Sequence, residues 1–381
     1  MDYDRNVYIL GAGFSHEAGI PMIAEFMFVM RDCIPWLRKL SRDDEAAAVE
    51  RVFEFRRQAA SAAERVNLNA ENVEELFSLA SATNDAQLTK DVTVAIAATI
   101  DFAATRDPHA LRNTRIAQST STDEEWKVQN PQDTYPLPNG QIARWYQIPA
   151  YDVYHLLMAG YPDEWSEERS DTMITFNYDL LPEASLSRLQ IPFNYGIPQT
   201  STYKHDSALR LRLDYSDRVL KVLKLHGSIN WSFERSANPN PRVFVYGDYD
   251  ALRKEGETPL LLPPTWRKDI TGSLSSVWDA AVKALRSATR VVIIGYSIPV
   301  TDQHFKYLLA AGLQNNISVR DIVFVNPDRN REAIERRVFD LFVRRADPNI
   351  VTLLPVGTDQ FFQSYRNSMN RSGSSRWQLL W

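Results

Sequence analysis

The stretch YILGAGFSHEAGIP, Tyr8 to Pro21, decides the fold, because an apolar run breaks there into Gly-Ala-Gly and then turns polar. A buried strand that ends in closely spaced glycines and runs into a helix turns its backbone sharply. It brings N–H groups to a helix start, where a phosphate can be held by those donors and by the helix dipole. The usual dinucleotide pattern is G-x-G-x-x-G. Gly11 and Gly13 fit it, whereas His16 stands where the third glycine belongs, so a glycine-rich turn without a ligand stays open as a reading.

Working outward, the runs VYIL (7–10), TMITF (172–176), VLKVLKL (219–225), RVVIIGY (290–296), DIVFV (321–325) and NIVTLL (349–354) are apolar on consecutive positions and rich in Val and Ile. Consecutive rather than alternating burial predicts parallel strands covered on both faces. Lys221 and Lys224 interrupt the third run. Between the later runs, TDQHFKYLLAAGLQ and NREAIERRVFDLFVRR carry helical spacing, and alternation of strand and helix predicts an α/β fold, a doubly wound Rossmann-like parallel sheet. About 160 residues separate the first run from the second, too many for a loop without structure of its own. The Ala-, Glu- and Arg-rich helical patterns there predict a large, mainly helical insertion domain over residues 31–165, with 1–30 and 166–381 forming the sheet domain. Residues 112–140 read as a long loop or a disordered segment, a second excursion with a hairpin follows Trp231, and RWQLLW reads as an apolar tail.

Composition narrows the function. Hydrophobic residues make up 44% and charged residues 24% of 381, as expected of a globular chain long enough for a large core. A net charge of −5 gives no overall footprint for nucleic acid or an anionic membrane. The single cysteine, Cys33, excludes an internal disulfide and a cysteine-based zinc site, and no metal is expected. No window approaches the roughly 18 apolar residues of a membrane span, and a cytoplasmic location is the default expectation.

Polar clusters follow each strand end: TFNYDLLPE after the second, KLHGSINW after the third, IIGYSIPVTDQHF at the fourth and FVNPD at the fifth. Ligands of open parallel sheets bind beyond the carboxyl ends of the strands, so these clusters and the opening loop should meet in one crevice. His226 is the candidate general base, since an imidazole titrates near neutrality. Asn177 is the candidate for positioning a hydroxyl or a water, and Asp179 either contacts ligand or caps the following helix. The PPTW loop within 260–268 has no assigned role, and His16, His109, His155, His205 and His304 are given none.

The arrangement resembles the SIR2 (sirtuin) superfamily. Its G-A-G-x-S-x-x-x-G-I-P pattern fits Gly11, Ala12, Gly13, Ser15, Gly19, Ile20 and Pro21; T-x-N-x-D fits Thr175, Asn177 and Asp179; His-Gly fits His226 and Gly227. Gly295 to Ser297 is similar to a late G-x-S element and Asn326 to a ribose-contacting Asn. The resemblance implies NAD+ as substrate, with Asn177 and His226 catalytic. It implies contacts to NAD+ from Gly11, Ala12, Gly13, Phe14, Ser15, Ile20, Pro21, Asp179, Gly227, Gly295, Ser297 and Asn326. Two departures matter: deacylases continue Gly-Ile-Pro with Asp-Phe-Arg where this chain has Met22-Ile23-Ala24, and they carry a four-cysteine zinc module. The chain is more similar to the SIR2-like branch of bacterial antiphage systems, which implies an NAD+ hydrolase acting as NAD-depleting effector in abortive infection. That resemblance also implies a homo-oligomer and a partner encoded nearby, a HerA-type DNA translocase or an Argonaute-like protein. A non-catalytic sensor of NAD+ or ADP-ribose is the alternative, and protein deacylation ranks below both.

Overall fold

The computed structural model describes residues 5–65, 68–106, 134–136, 142–144, 150–159, 171–198, 202–204, 209–216, 218–234, 242–262, 274–298, 303–327, 331–341 and 350–372. Numbered along the chain, the central sheet holds β1 (Asn6–Leu10), β4 (Thr172–Thr175), β5 (Phe193–Asn194), β7 (Leu220–Lys224), β12 (Arg290–Ile294), β13 (Asp321–Val325) and β14 (Val351–Leu354). Their spatial order is β14-β13-β12-β1-β4-β7-β5, and all six pairings are parallel. All six apolar runs read from the sequence are in this sheet; β5, two residues on the edge beside β7, is an addition. Every residue of β1 and β12 is buried, which is why those runs do not alternate.

Helices flank the sheet. Ser275–Ser287 lies against β7 and β4 and beside Gln303–Leu313, while Ala150–Ala159 packs with Leu181–Leu189 and Thr358–Ser372. Gly312 fits beneath Leu285, whose Cβ would lie 2.4 Å from an added Cβ, so the absence of a side chain lets the helix pair approach closely there. Three short sheets complete the strands: β2 (Thr134–Pro136) with β3 (Ile142–Arg144); β6 (Thr202–Lys204), β10 (Val243–Tyr246) and β9 (Trp231–Phe233); and β8 (Gly227–Ser228) with β11 (Leu260–Leu261). The antiparallel β9–β10 pair is the hairpin expected after Trp231.

The helices Ile23–Lys39, Asp43–Arg65, Val73–Ala82 and Ala86–Arg106 build a second core around Met30, Leu37, Val49, Phe77 and Ile96. Ile229, Tyr246, Tyr249, Leu252 and Leu261 from the excursion after β7 enter the same core. Arg42 joins the two insertions: it donates to Glu45 and Asp101 at 2.6 Å and stacks over Trp36 and Tyr249, whose hydroxyl also donates to Glu45. The helix Ala150–Ala159 lies within the span expected to be the insertion, yet it is buried in the core of the sheet. Every residue of its run AYDVYHLLMA is buried, with Asp152 accepting from Ser185 and Arg188, as a helix with neighbours on all sides requires.

Cys33 is buried in the helical core, where its thiol donates to Met30 O at 3.0 Å and burial pushes its pKa up to about 12. The thiolate is the reactive form, so a maleimide at pH 7.5 should label the denatured chain but leave the native one unlabelled by mass. The polar segment 112–140 outside 134–136, residues 263–268 of the PPTW loop, residues 299–302, His109, His205 and the RWQLLW tail lie outside the described residues. No helix among those described is long and apolar enough to cross a membrane.

Candidate active site

Register brings the motifs into one row. Leu10 pairs with Thr175 and with Ile294, Thr175 with Lys224, and Ile294 with Val325. Gly11, Phe176, Leu225, Gly295 and Asn326 therefore stand side by side one residue beyond their strands. The strand order reverses at β1, from which the chain builds toward β4 and β7 on one side and toward β12, β13 and β14 on the other. Such a switch point leaves a crevice where the loops on either side diverge, and the opening loop lies on it.

That loop is locked to its neighbour. Gly11 N donates to Ile294 O and Gly13 N to Gly295 O, both at 2.9 Å, and Phe14 N donates to Gly11 O at 3.0 Å. An added Cβ would stand 2.6 Å from Gly295 O at Gly11 and 2.2 Å from Phe14 N at Gly295, where φ is +65°. Three of the N–H groups that the sequence aims at a phosphate thus donate within the protein, and the helix they start, Ala12–His16, is a single turn. Close packing of two loops is what these glycines serve directly.

Asn177 ties β4's end to the same loop. Its Nδ2 donates to Gly11 O at 2.9 Å and to Ser15 Oγ at 3.0 Å, and its backbone N donates to Thr175 Oγ1 at 3.0 Å. With both amide protons committed inward, the half-buried side chain can offer a ligand only Oδ1, an acceptor for a hydroxyl or a water. Thr175 Oγ1 donates to Leu10 O, which completes the lock between the two strands. Asp179 is buried and accepts from Leu181 N at 3.0 Å through Oδ1, the capping role left open by the sequence.

His226 sits at the end of β7, 7% exposed. Its ring meets Phe176 edge-on at 5.1 Å and His304 at 5.7 Å, with Trp278 5.9 Å from His304. The turn that carries it is fixed on three sides. Leu262 N donates to His226 O, Trp278 Nε1 to Leu225 O and Ile229 N to Tyr178 O. Gly227 has φ +84°, with Leu260 O only 2.1 Å from where a Cβ would be. Asn326 donates through Nδ2 to Tyr296 O at 3.1 Å, and the exposed Ser297 presents its carbonyl to Arg337 at 2.9 Å. Gly19 has φ +88°, Ile20 packs against the helical core, Pro21 is buried, and Met22 is exposed at the start of the helix Ile23–Lys39. Ala12 is exposed at the mouth of the loop.

Phe14 anchors the loop from below. Its carbonyl accepts from Tyr151 OH at 2.5 Å, and its ring meets Tyr151 and His155 edge-on. His155 is fully buried and bonds through Nδ1 to Tyr151 O at 2.6 Å, while burial lowers its pKa to about 3. The unfolded chain binds a proton near pH 6.5 that the folded one refuses until about pH 3, so stability falls as pH drops through 6.5. The expected slope below pH 6 is about 1.4 kcal/mol per pH unit from this one group, and urea midpoints of wild type and His155→Phe at pH 7.5 and 5.0 measure it. A smaller pH sensitivity in the variant is the expected result; an equal one removes His155 from the account.

His304, Trp278, Tyr151 and the buried Lys224 were given no role by sequence spacing; only the lysine inside an apolar run was a signal. A cavity of about 100 Å3 lined by Ala159, Asp171, Ile191, Pro192, Arg218, Val219 and Leu220 opens at the amino-terminal ends of β4 and β7, away from this row. Among the described residues no group of three His, Cys, Asp or Glu side chains could hold a metal ion.

Residues 171–345 match the family model of the SIR2-like domain. No protein of curated function matches the chain in sequence. Among solved structures, a triple mutant of Sir2 homologues in complex with 2'-O-acetyl ADP ribose is 14% identical, with a TM-score of 0.44 over 97% of this chain and 93% of that one. Sir2Tm bound to a propionylated peptide is 12% identical (TM-score 0.36, 97% and 93% covered), and a complex of Sir2, p53 peptide and NAD+ is 12% identical (TM-score 0.37, 97% and 93% covered). Asn177, His226, Gly295 and Asn326 all fall inside the segment that matches the SIR2-like domain model.

Proposed function

We propose that the protein is an NAD+ glycohydrolase, converting NAD+ and water to nicotinamide, ADP-ribose and a proton. The observation that carries this is the row of strand ends in which Asn177, bonded to Gly11 O and Ser15 Oγ, shares a rim with His226. Solved Sir2 structures of low identity include one with NAD+, which supports the choice of ligand. Nicotinamide leaves as a neutral base from a cationic ring, so positive charge develops on the ribose at C1. His226 takes a proton from a ribose hydroxyl or from the attacking water, and Asn177 Oδ1 accepts a hydrogen bond from the same group. Gly11, Ala12, Gly13, Phe14, Ser15, Ile20, Pro21, Asp179, Gly227, Gly295, Ser297 and Asn326 surround the dinucleotide in this reading.

Met22 and Ala24 at the start of their helix, in place of Asp and Arg, turn the pocket toward water rather than an acyl-lysine. The biological setting we propose is NAD+ depletion in an antiphage response, by a cytoplasmic homo-oligomer working with a HerA-type translocase or an Argonaute-like partner. One observation favours the sensor alternative: the N–H groups of Gly11, Gly13 and Phe14 are all committed within the protein. Incubation of the protein with NAD+, alone and with the product of the neighbouring gene, separates the readings by nicotinamide release. Binding of NAD+ without release under either condition selects the sensor.

A further inference from the structure

Lys224 closes β7 two residues before His226, and its side chain is fully buried. Its Nζ donates to Asp179 O and, at 3.0 Å, to Glu183 Oε1, itself fully buried on the helix Leu181–Leu189. Tyr195 OH donates to the same Glu183 oxygen at 2.9 Å. Burying both charges carries a desolvation cost that apolar side chains of equal volume avoid, and such replacements are often neutral or stabilising, so stability alone is a poor account of the pair. Geometry supplies a better one. Asp179 O belongs to the turn that carries Asn177, and Lys224 belongs to the strand that carries His226. The pair is a brace between the two.

We propose that Lys224 is a positioning residue. Held by Glu183 and Tyr195, it draws the carbonyl of Asp179 toward β7 and sets Asn177 against Gly11 and Ser15 at a fixed distance from His226. The placement of Asn177 stands on its own; its consequence for turnover rests on the hydrolase reading. A methionine thioether has no proton to donate and cannot hold the carbonyl in this way.

The test uses Lys224→Met with Glu183→Gln, because Lys224→Met alone leaves a buried carboxylate without its cation and is strongly destabilising; the single variant serves as comparison. In the double variant the circular dichroism and melting temperature stay close to wild type. The side-chain amide signals of Asn177 in 15N NMR shift and lose exchange protection, and kcat for nicotinamide release falls about 100-fold, the effect of roughly 1 Å of misplacement, with KM for NAD+ within about threefold. A folded double variant with unchanged Asn177 signals overturns the proposal, as does unchanged kcat in an enzyme that cleaves NAD+. A wild-type protein that releases no nicotinamide removes the hydrolase reading instead, and the Asn177 signals still decide the brace.

Discussion

Replacing His226 by Ala is expected to cut nicotinamide release by about 10²- to 10⁴-fold, the usual contribution of a positioned proton acceptor. Replacing Asn177 by Ala is expected to cost about as much, and the double variant little more than either, because groups that act on one reacting atom are not additive. The two losses differ in kind. His226 is buried among Phe176, His304 and the β8 turn, and removal of its ring deletes the base while the bonds of the turn remain. Asn177 also holds Gly11 O and Ser15 Oγ, so its removal loosens the glycine loop and raises KM with the fall in kcat. Steady-state kinetics by chromatographic detection of nicotinamide, together with thermal melts, reads both effects. A fully active Asn177→Ala/His226→Ala protein would sink the mechanism.

Gly295→Ala is expected to be strongly disruptive. Gly295 has φ +65°, a region that costs an L residue about 1–2 kcal/mol. The added carbon would also stand 2.2 Å from Phe14 N and 2.5 Å from Gly13 C, both backbone atoms that no rotamer change can move. The loops must part, and the bonds Gly13 N to Gly295 O and Asn177 to Gly11 O part with them. A loss of at least about 3 kcal/mol follows from strain and two broken bonds together, read as a lower urea midpoint, with turnover lost as well. Gly256→Ala is the control: φ is +71° there too, but nothing lies within 4 Å of the new carbon, so only the strain remains. Equal midpoints for the two variants would refute the close-packing account of the opening loop.

Much of this was legible along the chain. The six apolar runs could be read as parallel strands because burial on both faces leaves no polar alternation, and the polar residues at their ends marked the rim. Lys224 shows where such reading stops. A lysine in a strand looks like an interruption until Glu183, 41 positions away, is seen against it. Helix Ala150–Ala159 was misread for a similar reason. Proximity along the chain joins it to the helical insertion, whereas the structure buries all of its residues among the sheet core, Leu181–Leu189 and the helix Thr358–Ser372. The glycines also form the contact surfaces of two loops, a packing that spacing along the chain does not reveal.

By itself the sequence determined the strands, their ends and the residue types gathered there, because hydrophobic periodicity and turn chemistry are local properties. The tertiary structure decided which of those residues meet: Asn177 with Gly11 and Ser15, His226 with Phe176 and His304, and Lys224 with Asp179 and Glu183. Such pairings depend on strand order and register, which arise only when distant segments pack, and no local pattern encodes them.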